Sequence, residues 1–258
     1  MSRDAESGSE KVFCYLCSEL DLATENGLVR SDTDTDEEYQ RYVLRQAKEK
    51  LGIDAIFFLK PALEGPSIPL IYFRKLESRN PYEIAELHKL AWNMGQAPLL
   101  FVVLPDVVLV YSTYEPPNTV DGKLDDEARF IEELKLFVEA DREIKMLRKY
   151  HRSELVTGTY WQKHSNKFKK EKRVYQTLLN NLDFMMKLLT EKGLSEEIVH
   201  GLLIRSIFVK YLEDRKDSNG YNAFPERFFE KFLSGAKCFT DLHLGSISTT
   251  LISTYVWR

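Results

Sequence analysis

The chain has 258 residues, 43% of them apolar, and a formal net charge of −4. That suffices for one large domain or two small ones with an ordinary soluble core. No apolar run approaches the eighteen or so residues that span a bilayer, and the start, MSRDAESGSEKVF, lacks the basic-then-apolar order of a secretory signal. Three cysteines (Cys14, Cys17 and Cys238) do not make a disulfide framework, so a reduced, cytoplasmic setting is expected, with no membrane partner.

The net charge hides a division. Residues 1–40 carry eleven acids against three bases, and residues 142–173 carry eleven bases against three acids. Such segregation suggests a polyanion contact on one stretch and a solvated or screening segment on the other. Residues 1–10 are Ser- and acid-rich and read as disordered. Cys14 and Cys17 form a lone C-x-x-C in a short helical stretch, without the second ligand pair that zinc requires.

Residues 34–52 read as a helix, with Asp34 or Thr35 as cap, Gly52 as stop, and Tyr39, Tyr42, Val43, Ala47 and Leu51 as its buried stripe. Residues 53–59 and 68–76 are short, β-branched and aromatic, and read as strands. A helix follows over 80–95, with Asn80 capping, Pro81 at its first position and Gly95 closing it. Residues 97–105 and 106–114 are two further strands, the first apolar almost throughout, and YEPPN (114–118) ends the unit. Residues 130–149, 174–192 and 195–215 show helical periodicity. The predicted fold class is α+β: an acidic, partly disordered segment 1–33, a small α/β sheet domain 34–117, and an all-helical domain 118–258. Within the last, the helix 195–215 is expected to be buried on most sides.

Three stretches in this order carry a resemblance. They are AELHKLAWNMGQAPLLFVVLPDVVLVYSTYEPP (85–117), GTYWQKHSNKFKKEKRVYQTLLNNLDFM (158–185) and LLIRSIFVKYLEDR (202–215). Together they resemble the N-terminal part of large prokaryotic N6-adenine DNA methyltransferases of type IIG and type I-like restriction–modification systems, over residues 36–240. The resemblance implies a nuclease-like α/β domain, a helical connector, and DNA and a methyltransferase domain or subunit as partners. It ends after residue 242, as a truncated product or a fragment would. The S-adenosylmethionine cofactor belongs to the full-length family. Neither its glycine-rich loop nor an Asn/Asp-Pro-Pro-aromatic loop occurs here, so no cofactor is expected in this chain.

A nuclease of the PD-(D/E)xK kind needs two carboxylates on Mg²⁺ and a lysine to polarise the attacking water. Asp54 opens the first strand and Lys75 ends the second, but Phe73 stands where the second acid belongs. Glu77 is the nearest substitute metal ligand, with Glu83 and Glu86 behind it. The expectation is a non-cleaving nuclease-like fold, with a Mg²⁺-dependent endonuclease using Asp54, Lys75 and Glu77 as the alternative. A protein-interaction module that docks on a separate methyltransferase subunit is a third reading. His88 and Trp92, four apart, read as a stacked pair. The basic stretch supplies candidate DNA-backbone contacts at Lys163, Lys167, Lys169, Lys170, Lys172 and Arg173. Its interleaved aromatics could stack on bases or anchor the segment to its own domain.

Overall fold

The computed structural model describes residues 7–60, 65–124, 130–136, 146–169 and 173–214. The chain divides into two units, Met1–Leu179 and Asn180–Arg258. In chain order the elements are α1 (Gly8–Glu19), β1 (Leu28–Arg30), α2 (Glu38–Leu51), β2 (Ala55–Leu59), β3 (Ile68–Lys75), α3 (Pro81–Met94), β4 (Leu99–Val103), β5 (Val107–Ser112), β6 (Thr119–Val120), β7 (Lys123–Leu124), β8 (Phe130–Lys135), α4 (Arg152–Val156), α5 (Thr159–Lys163), α6 (Val174–Glu191) and α7 (Glu196–Asp214).

The first unit is built on a six-stranded sheet of order β1-β2-β3-β4-β5-β8. Only β3 and β4 run parallel; the other neighbours are antiparallel. Alternation along the strands feeds two cores. Ala55, Phe57, Ile71, Phe73, Phe101 and Val103 face α1, together with Tyr150, Leu155 and Tyr160. Ile56, Phe58, Tyr72, Leu100 and Val102 face α2 and α3. With both faces covered, every residue of β4 and β5 is buried, as the continuous apolar runs require.

The helix signals hold at α3, where the Asn80 side chain accepts from the backbone of Tyr82 and Glu83 and Gly95 takes a left-handed conformation at φ 61°. At α2 the residue before the helix is Glu37, not Asp34 or Thr35, and it caps nothing through its side chain. The buried stripe of α2 is Gln40, Val43, Leu44, Ala47 and Leu51, so Tyr39 and Tyr42 turn outward.

Three expectations are corrected. Residues 8–10 are helical rather than disordered, because Val12, Phe13, Leu16 and Leu20 give α1 an apolar face that the sheet buries. Residues 130–135 form a strand, not a helix: β8 pairs with β5 and buries Leu134, so the sheet runs past residue 117 and residues 118 onward are not all-helical. Tertiary pairing overrides the helix propensity of its two glutamates. Finally, α7 is not buried on most sides. Ile204 and Phe208 are 66% and 53% exposed, and Ile198, Ile207 and Tyr211 are exposed too.

A candidate carboxylate–lysine centre and a basic stretch

The predicted nuclease-type residues meet where β2 begins and β3 ends. Asp54 pairs its backbone N–H with the Phe73 carbonyl at 2.9 Å, and its Oδ2 accepts from the Lys75 N–H at 2.7 Å. Lys75 Nζ lies 3.8 Å from Asp54 Oδ1 and donates to Glu10 from the first turn of α1. Arg30, ending β1, donates to Glu10 Oε1 at 2.9 Å. Arg74 Nη1 stands 3.7 Å from Asp54 Oδ2, and Arg74 Nη2 3.8 Å from Glu83 Oε1. Three carboxylates, Glu10, Asp54 and Glu83, therefore face three cations, Arg30, Arg74 and Lys75.

Glu10 and Arg30 escape a reading of the sequence, Glu10 because it sits in a Ser- and acid-rich stretch. The signal that finds it is the α1 stripe at Val12, Phe13, Leu16 and Leu20, which sets Glu10 in the first turn of the helix. Glu77, expected as the substitute metal ligand, instead accepts from the Ser7 and Ser9 hydroxyls. Glu86 pairs with Lys89 at 3.2 Å. Phe73 is fully buried, edge-on to Phe13 and Phe101 with ring centroids 5.4 Å away in each case. Among the described residues, no group of three His, Cys, Asp or Glu side chains could hold a metal ion. Glu10 and Asp54, the two carboxylates beside Lys75, are both engaged in ion pairs with lysine and arginine.

Burial raises the Glu10 carboxyl, but the hydrogen bonds and charges of Lys75 and Arg30 outweigh it and hold the group below its ordinary value. A depressed carboxyl contributes stability that is present above its unfolded pKa and is lost as pH falls through the folded one. Glu10→Gln is therefore expected to be less stable than the parent at pH 7. The gap should close as pH drops below the ordinary glutamate pKa of about 4.3, read from urea midpoints across a pH series.

The basic stretch lies at the other end of the strands. The Lys167 carbonyl accepts from Ser112 Oγ at 2.9 Å, and Ser112 pairs with Leu99 at the start of β4. Lys75 pairs with Val103 at its end. Four residue steps of about 3.3 Å put roughly 13 Å between the two ends. Trp161 donates from Nε1 to the Leu155 carbonyl at 2.9 Å and stacks edge-on against Phe168 at 5.1 Å. Tyr160 is buried. These aromatics anchor the segment to its own core. Lys163 pairs with Glu154 at 3.2 Å, Lys169 is exposed, and the Arg173 guanidinium lies 3.9 Å from the Tyr114 ring centroid. Lys170 and Lys172 lie outside the described residues.

Buried His88 sits 2.9 Å through Nε2 from the Ser112 carbonyl and packs edge-on against Tyr111 at 5.8 Å, a core role. Cys14, exposed, lies 3.5 Å from both Glu10 and Arg30, while burial pushes the Cys17 thiol up to about 12, which leaves it a core group. No helix among the described residues is long and apolar enough to cross a membrane. Comparison with protein-family models, curated proteins and solved structures finds no match to this chain.

Proposed function

We propose that this chain is a cytoplasmic DNA-backbone-contacting and docking module related to the N-terminal region of restriction–modification adenine DNA methyltransferases, with a nuclease-like sheet unit that does not cut. The observation that carries this reading is Phe73. It occupies the position of the strand-borne metal carboxylate and is locked between Phe13 and Phe101 in the core. Lys75, the residue that would polarise water, is engaged by Glu10 and Asp54 instead. The basic stretch supplies the DNA contact, and its distance from Lys75 separates binding from that centre. Methyl transfer and S-adenosylmethionine binding belong to a methyltransferase domain or subunit, which is the expected partner.

One observation favours the alternative, a Mg²⁺-dependent endonuclease: Glu10 puts a second carboxylate beside Asp54 and Lys75. Metal dependence of binding separates the two. On the proposed reading, gel-shift affinity for duplex DNA is the same in EDTA and in Mg²⁺ and the same for unrelated sequences, because phosphates carry no sequence information. Affinity that requires the divalent ion would overturn it.

A further inference from the structure

The outward turn of Tyr39 and Tyr42 leaves two aromatic rings, 38% and 50% exposed, on a helix whose other face is fully committed to the core. They line an open groove of about 500 Å³ with Gly65, Pro66, Glu37 and Glu38. One wall of the groove is fixed. The Glu37 carboxylate accepts from both the backbone N–H and the hydroxyl of Ser67, and buried Gln40 donates to Ser67 Oγ at 3.1 Å and accepts from Thr35. A wall already ordered costs little more to order on binding.

Residues 31–38, which lead into the groove, carry five acids and no base. Tyrosine ring faces next to carboxylates suit one kind of side chain. A guanidinium or ammonium stacks over the ring and pairs with the acid, and an anion is repelled. A nucleic acid is therefore the wrong occupant for this groove. It borders α2, whose core packs on the opposite face of the sheet from Trp161 and Phe168, which anchor the chain's own basic stretch.

We propose that this groove is a docking site for an arginine or lysine side chain of an extended, basic segment of a partner protein. This extends the DNA-contacting reading without depending on it, since it uses no residue of the basic stretch or of the carboxylate–lysine centre.

The test is fluorescence anisotropy of a labelled peptide of alternating glycine and arginine against the full chain. Joint Tyr39→Ala and Tyr42→Ala substitution is expected to weaken binding about tenfold, while the matching Tyr→Phe pair, which keeps the ring faces, stays within about twofold. Glu38→Gln is expected to weaken it about threefold. All three positions are on the surface, so the variants should fold, with unchanged far-UV spectra. Equal binding by the Ala and Phe pairs would mean attraction by charge alone and would overturn the proposal. So would a concentration-dependent mass in sedimentation that the Ala pair abolishes, which would assign the groove to a second copy of this chain.

Discussion

Phe73→Ala is expected to lower the stability of the sheet unit by about 3–5 kcal/mol, the usual cost of removing a buried phenylalanine ring. The ring is fully buried and holds α1 to the sheet through Phe13 and β4 through Phe101, so neither neighbour can close the gap without moving an element. Phe73→Glu, which writes the missing acid into the strand, is expected to cost more than the alanine, because it buries an unpaired carboxylate in an apolar layer. Urea midpoints of the two variants check both statements. A loss below about 1 kcal/mol for the alanine would mean the layer repacks freely and that Phe73 does not define the centre.

Charge reversal at Lys163, Lys167 and Lys169 is expected to shrink the slope of log affinity against log salt by about 2.7 on duplex DNA, near 0.9 for each lost phosphate contact. Concentrated charge is what lets a chain of net charge −4 approach a polyanion. The stretch can hold that charge in place because Tyr160, Trp161 and Phe168 are packed inward and leave the lysines at the rim. Lys167 is held at the backbone, where its carbonyl accepts from Ser112 Oγ. Gel-shift titrations at several salt concentrations read the slope. A slope unchanged in the triple variant would make this stretch an ordinary solvated surface.

Local signals carried α3 and the four strands β2–β5, where capping, stop glycines and unbroken apolar runs agree with the packing. They failed where tertiary contacts decide. The β8 segment, with adjacent glutamates, becomes a strand because β5 offers it a partner and because Glu132 meets Lys149 and Tyr150. Tyr39 and Tyr42 fit a helical stripe by spacing, but Gln40, satisfied by Ser67 and Thr35, takes the inward place. Of the carboxylate–lysine centre, Asp54 and Lys75 were legible because they sit at strand ends. Glu10 and Arg30 were not, since they arrive from elements distant in sequence, and the hydrogen bonds that Ser7 and Ser9 give Glu77 likewise come from far along the chain.

Supercoiled plasmid incubated with the purified chain in Mg²⁺ or in Mn²⁺ is expected to stay intact at protein concentrations that shift the same plasmid in a gel, as the proposed DNA contact without cleavage requires. Metal-dependent nicking that disappears in Glu10→Ala, Asp54→Ala and Lys75→Ala would contradict it.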